Sequence, residues 1–168
     1  HAAHRVLAVN DPQEPENHDN FAVYGNLYPH LRASDAAHCD DAWVRGLVIN
    51  EAKFLYRFGN HAASLALCLA ALNAWRPKRT EDDTTTAMDE LSVAEIAHQL
   101  SDNEQVLQIA LWAGFVLFAV GNYDDAATLN AATLSAYNRL KAEGSDDPET
   151  TQTIQVGELE ALRNVAID

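Results

Sequence analysis

Two stretches of this chain share one design, and that repetition limits the possible folds more than any other feature. Phe54 to Leu67 and Phe115 to Leu129 each read as an apolar-patterned helix, a tight Gly-Asn turn and a second helix. Gly59 aligns with Gly121, and an asparagine, Asn60 or Asn122, follows each. Glycine enters the left-handed conformation that ends a helix without steric cost. Small residues recur at equal offsets from the turns: Ala52 and Gly114 before, Ser64 and Ala126 after. Two antiparallel helices that cross closely need small residues there, because a large side chain would hold them apart. His61 and Tyr123 also follow the turns at one offset. Two units of one design predict a stacked helical repeat.

The rest of the chain reads as helices too. Residues 1–9 look like the end of a helix, and the polar stretch 10–20, with Pro12 and Pro15, reads as a loop. Phe21, Tyr24, Leu27, Tyr28 and Leu31 share one helical face. Pro29 should kink or end that helix, since proline lacks an N–H and crowds the preceding turn. Asp40 or Asp41 is placed to cap a helix that runs to about Phe58 through Val44, Leu47, Val48 and Leu55. Its partner covers 61–75 with Leu65, Cys68, Leu69, Leu72 and Trp75 inward, and Pro77 closes it. A polar link over 77–86 leads to a helix over 88–100. Ser101, Asp102 and Asn103 restart the chain as a cap. Helix 103–120 carries Leu107, Leu111, Gly114, Phe115 and Phe118 inward, and helix 123–142 carries Ala126, Leu129, Thr133, Tyr137 and Leu140. After a break at 144–148, Pro148 suits the first turn of a last helix through Ile154, Leu159 and Leu162. Strand-like alternation is absent, so the expected fold class is all-α, built from antiparallel helix pairs.

Composition narrows the functions. The chain has 168 residues, 48% of them hydrophobic, enough for one domain with a core. Its 25 acidic and 11 basic residues give a formal net charge of −14. Phosphate backbones and anionic lipid surfaces call for clustered Lys and Arg, so neither nucleic acid nor a membrane is an expected partner. Cys39 and Cys68 make no disulfide framework, which points to a reducing, cytoplasmic setting. The sequence opens on His1 and closes on Asp168 within a helical pattern, so a fragment of a longer protein is expected.

The paired units resemble the tetratricopeptide helix–turn–helix repeat at Ala113-Gly114, Gly121-Asn122-Tyr123 and Ala126. Asp146-Asp147-Pro148-Glu149-Thr150 looks like the Asp/His-Pro-x-Thr opener of its longer, roughly 42-residue variety. The resemblance covers residues 41–168 and implies a right-handed α-solenoid whose last repeat is truncated. Two features depart from it. The glycines stand about 20 residues further apart than that variety requires, which suggests that the 86–100 helix is an insertion, and Asn130 occupies a position where the family prefers an aromatic. Upstream, His4-Arg5-Val6-Leu7, Tyr24, Leu27 to Leu31, Val44-Arg45 and Phe54 to Gly59 look like one particular junction. It joins the nucleotide-binding module to the repeats in bacterial signal-transducing ATPases of the NB-ARC–tetratricopeptide type, some of them linked to FxSxx-COOH peptide-maturation systems. That likeness implies that residues 1–40 are a helical junction following an upstream nucleotide-binding module, and that the repeats form the sensor or partner-binding arm.

Catalytic patterns are scarce. The sequence contains no phosphate-cradling Gly-x-x-x-x-Gly-Lys-Ser/Thr loop and no Gly-x-Ser-x-Gly elbow, so neither an enzyme nor a cofactor is expected. His1 and His4 lack the i, i+4 spacing and third ligand of a zinc protease. His38-Cys39-Asp40-Asp41 is the densest set of ligand-type side chains, and a small metal-binding or enzymatic domain using it is the alternative reading. Aspartates beginning a helix also suit its dipole, which is the simpler account of that set. Glu81-Asp82-Asp83 and Asp146-Asp147 lack the glycine and bidentate glutamate of a calcium loop. In a tetratricopeptide stack the first helix of each pair lines the groove. By repeat offset this places Asn50, Lys53, Tyr56 and Arg57 there from the first unit, and Gln108, Trp112, Phe115 and Ala119 from the second. A Lys–Arg pair four residues apart, beside an asparagine, suits a peptide carboxylate through charge-assisted hydrogen bonds. The expected ligand is therefore a protein or peptide. A weak homodimer through the apolar face of the last helix is also expected.

Overall fold

The computed structural model describes residues 2–76 and 91–142. Among them the chain is all-α, with seven α-helices: α1 (Ala2–Val9), α2 (Phe21–Ala33), α3 (Ala42–Arg57), α4 (His61–Trp75), α5 (Val93–His98), α6 (Glu104–Ala119) and α7 (Tyr123–Ala142). Short 3-10 turns at His18–Asn20 and Ala36–His38 flank α2, and no strand occurs among the described residues. The 77–86 link with Pro77, the Glu81-Asp82-Asp83 loop, the start of the 88–100 helix, the 144–150 break and opener, and His1 lie outside the described residues. So does the last expected helix, with Ile154, Leu159, Leu162 and the dimer contact expected of them.

The two Gly-Asn turns are one structure made twice. Gly59 has φ +81° and Gly121 φ +82°. At the first, the Gly59 N–H donates to Tyr56 O (3.1 Å) and the Asn60 N–H to Leu55 O (2.8 Å). At the second, the Gly121 N–H donates to Phe118 O (3.0 Å) and the Asn122 N–H to Leu117 O (2.9 Å). This is the paired 6→1 and 5→2 closure of a Schellman motif, which satisfies carbonyls that a helix end leaves open. Each asparagine also begins the next helix: the Asn60 carbonyl accepts from Ser64 N (3.0 Å) and the Asn122 carbonyl from Ala126 N (3.1 Å). One residue thus closes one helix and opens its neighbour, and the pair is forced antiparallel.

Small residues meet at the crossings. The Ser64 hydroxyl, fully buried, donates to Ala52 O at 2.8 Å, so the first crossing is bonded as well as close. In the second unit Gly114 faces Asn130, and a Cβ at Gly114 would overlap the Asn130 amide. Asn130, the departure noted in the sequence, therefore lies against bare backbone where an aromatic ring would not fit. Helix α6 packs on α7, α4 and α3, and α4 packs on α3. Helix α4 sits between α3 and α6, which is why its sequence is apolar nearly all round. The short α5 packs against α7 and leaves the α4–α6 contact intact.

Several expectations need correction. Of the two outcomes expected at Pro29, a kink or an end, the end does not occur: α2 continues to Ala33. The carbonyl that loses its donor belongs to Gly25, and both residues are exposed, so water can satisfy it. Helix α5 begins only at Val93, because Ser92 and Glu95 form a capping box: Ser92 N donates to Glu95 Oε2 (2.8 Å) and Glu95 N to Ser92 Oγ (3.3 Å). Phe118 is exposed rather than internal and stands edge-on to Tyr123 at 5.1 Å. Leu65 and Leu69 are half-buried, while Ser64, Leu67 and Ala71 are buried in α4. Asp41 is the residue that caps α3, accepting from Trp43 N at 3.0 Å, and Asn103 caps α6 through Gln105 N (3.1 Å) and Val106 N (3.3 Å).

Candidate functional site

The last two turns of α3 carry aromatic side chains on opposite sides, and the two sides do different things. Phe54 and Phe58 face α2. Phe54 stacks on Tyr24 (5.1 Å, 23°), and Phe21 stands edge-on to Phe54 (5.4 Å) and Phe58 (4.9 Å). This cluster clamps α2 onto α3. Tyr56 points the other way, toward α6. Its ring lies 5.7 Å from Trp112 and 6.4 Å from Phe115, and these two lie 5.2 Å apart. His61, at the start of α4, stacks on Tyr56 at 5.2 Å and 28°. The Lys53 ammonium sits 5.8 Å from the Trp112 ring centroid, a cation–π distance. All five side chains are half-buried, and Arg57 is exposed one turn beyond Lys53.

The structure therefore brings Lys53, Tyr56 and Trp112 together, adds Phe115 and His61, and leaves Arg57 exposed on the same stripe of α3. Two residues expected in the groove are engaged within the protein. Asn50 donates to Asp11 Oδ2 at 2.9 Å, and Gln108 donates to Glu104 Oε1 at 3.1 Å. Ala119 is exposed at the end of α6. The loop before α2 occupies the Asn50 end of the stripe, so the aromatic end is where a ligand finds both π surface and positive charge. Ring faces attract cations and apolar groups, and Lys and Arg attract carboxylates.

The set at 38–41 is structural in its contacts. His38 Nδ1 lies 2.7 Å from Asp35 Oδ1, Asp41 pairs with Arg5 (2.8 Å), and Cys39 is buried. The hydrogen bond from Arg5, followed by that from Trp43 N, holds the Asp41 carboxyl below the usual range. Arg45 donates to Cys39 O (3.3 Å) and to Asp40 Oδ1 (3.2 Å), and its guanidinium lies 5.0 Å from the Trp75 ring centroid. Trp75 Nε1 donates to Ala37 O at 2.7 Å. Each side chain is thus directed to a separate fold contact. Among the described residues no three His, Cys, Asp or Glu side chains converge to hold a metal. His4 Nε2 lies 2.7 Å from Ser34 O. Cys68 is fully buried, its thiol pushed up to about 12 by desolvation, and it forms no disulfide.

Two features lie outside the sequence expectations. A cavity of about 610 Å³ opens between α2 and α4, lined by Tyr28, Arg32 and Asp35 on one side and by Ala62, Ala66 and Ala70 on the other. A polar cluster of Asp11 and Asn50, both half-buried, and Tyr24 and Glu51, both fully buried, lies where the loop before α2 meets α3. The Tyr24 hydroxyl donates to Asp11 Oδ1 (2.8 Å), while Glu51 is fully buried and neither of its oxygens has a hydrogen-bond partner. A signal for Glu51 was present: it falls on the inward stripe of α3, three residues after Val48 and four before Leu55. No described helix is long and apolar enough to cross a membrane. Comparison with family models, with curated proteins and with solved structures finds no match to this chain.

Proposed function

We propose that the chain is a protein- or peptide-binding scaffold without catalytic activity, built as a tetratricopeptide-like right-handed stack of antiparallel helix pairs. The observation that carries this reading is the continuous face made by Lys53, Tyr56, Trp112, Phe115 and His61 across α3 and α6. Half-buried aromatic rings beside cations are the groups that dominate binding energy at protein interfaces. The duplicated Gly-Asn turns and small crossing residues support the repeat reading. The junction likeness of residues 1–40 supports a role as the sensor arm of a larger cytoplasmic regulatory ATPase, with the nucleotide-binding module upstream. The net charge of −14 makes a local pair such as Lys53 and Arg57 selective for an acidic segment against the rest of the surface.

A thermal-shift panel tests the reading, using acidic peptides with free C-termini, zinc, chelator and ATP. A ligand at 100 times its Kd stabilises the fold by about 2.7 kcal/mol, a shift of several degrees for a domain of this size. Peptide binding should be weakened at least about tenfold by Arg57→Glu and by Trp112→Ala, with Arg57→Glu leaving the melting temperature nearly unchanged. Binding that survives both substitutions would move the interface off this face. A shift with zinc, or a loss of stability in chelator, would favour the metal reading of His38 and Cys39 instead.

A further inference from the structure

The cluster under the N-terminal segment holds two carboxyl groups, Asp11 half-buried and Glu51 fully buried, with unequal support. Asp11 lies in the loop between α1 and α2 and accepts from Tyr24 of α2 (2.8 Å), Asn50 of α3 (2.9 Å) and the Gln13 N–H (2.9 Å). Three donors, from α2, α3 and its own loop, thus hold the Asp11 carboxyl in place. Glu51, the next residue on α3, is fully buried and has no donor for either oxygen. A buried carboxylate with no donor is among the most costly groups a core can hold, whereas a neutral carboxyl costs far less. We propose that Asp11 and Glu51 form a proton-linked latch: with Glu51 neutral, the α1–α2 segment stays docked on α3, and ionisation of Glu51 loosens that docking.

The surroundings make the segment, rather than the repeat core, the part that yields. The buried residues of α6 are all apolar, and α4 brings Cys68, a thiol kept protonated by its own burial. Helix α1 brings His4, held at Ser34 O, and α2 brings Tyr24, whose hydroxyl is kept protonated by burial and by its bond to Asp11. Glu16, in the same loop as Asp11, acts on Tyr24. Burial, and after it the like charge of Asp11, push the Glu51 carboxyl up to about 8. Ionisation of Glu51 thus places a second negative charge beside Asp11, beneath a segment that packs on α3 through both α1 and α2. Water reaches Glu51 most directly by lifting the loop that carries the half-buried Asp11. The raised value puts the transition within reach of ordinary pH changes.

Hydrogen exchange followed by mass spectrometry on the whole chain tests this, at pH 6 and pH 9 with rates corrected for intrinsic exchange. Protection of residues 2–33 should fall at least tenfold between the two values, while α6 and α7 keep theirs. In Glu51→Gln the protection of residues 2–33 should not change with pH. If that variant does not fold, Glu51→Met, of similar length and uncharged, replaces it. Protection of 2–33 that is independent of pH in the wild-type chain overturns the latch. So does an equal loss in the Glu51 variant, or a loss spread uniformly over all helices.

Discussion

Glu51 shows how one side chain ties stability to pH. Its carboxyl titrates near 4.5 in an unfolded chain and near 8 when folded, because burial and then Asp11 disfavour the charge. The folded state therefore binds this proton more tightly. The resulting stability is fully present below about 4.5 and is lost as pH rises through about 8. Glu51→Gln removes the titration, so urea denaturation should find this variant more stable than wild type by about 1–3 kcal/mol at pH 8 and nearly equal to it at pH 4.5. A variant less stable at pH 8 would mean that Glu51 is solvated or paired in solution. The sequence shows Glu51 on an apolar stripe. It does not show that the partner on the other side would be Asp11, 40 residues earlier. Asn50 shows the same limit: a helical wheel places it on the groove stripe, and only the path of the 10–20 loop shows that its amide donates to Asp11.

At the scale of the helix pair, the turns and crossings were legible because their causes are local. Gly59 and Gly121 both sit near φ +80°, where an L-residue is strained. Gly59→Ala and Gly121→Ala should each cost about 1–2 kcal/mol by chemical denaturation, the steric penalty of the left-handed region. Costs near zero would mean that the turns reorganise. Gly114 makes a different prediction. Its helical backbone would accept alanine, but a methyl group there meets the Asn130 amide. Gly114→Ala should cost about 1–3 kcal/mol, as overpacking does, and most of that should return when Asn130→Ala is combined with it. Additive costs in the double variant would place the strain elsewhere. Helix ends set by capping were also readable, as at Asp41 and Asn103. The start of α5 was missed because the apolar spacing of Met88 to Leu100 outweighed the Ser92–Glu95 capping signal, and the end of α2 was missed because an exposed Pro29 is tolerated where water can reach the freed carbonyl.

For the molecule as a whole, charge and packing pull in different directions. A net charge of −14 repels itself, and salt screens that repulsion, whereas the surface ion pairs Arg5–Asp41 and Arg139–Asp102 contribute little each and lose little to screening. The melting temperature at pH 7.5 should therefore rise by a few degrees between about 0.02 and 0.5 M sodium chloride. A fall would mean that specific ion pairs outweigh net repulsion. The sequence by itself determined what depends on neighbours along the chain: the helical class, the two Gly-Asn closures, the caps, and the small residues at the crossings. Backbone sterics and the 3.6-residue period act within a turn or two, so one strand of text carries them. It also indicated which stripe of α3 and α6 faces one side. Only the tertiary structure decided which of those side chains meet. Tyr56, Trp112, Phe115 and His61 converge because α4 packs α6 beside α3, Phe118 stays outside, and the 10–20 loop covers Asn50 and seals Glu51 next to Asp11. Those outcomes rest on contacts between residues tens of positions apart, where burial and like charge, rather than local pattern, set the energy.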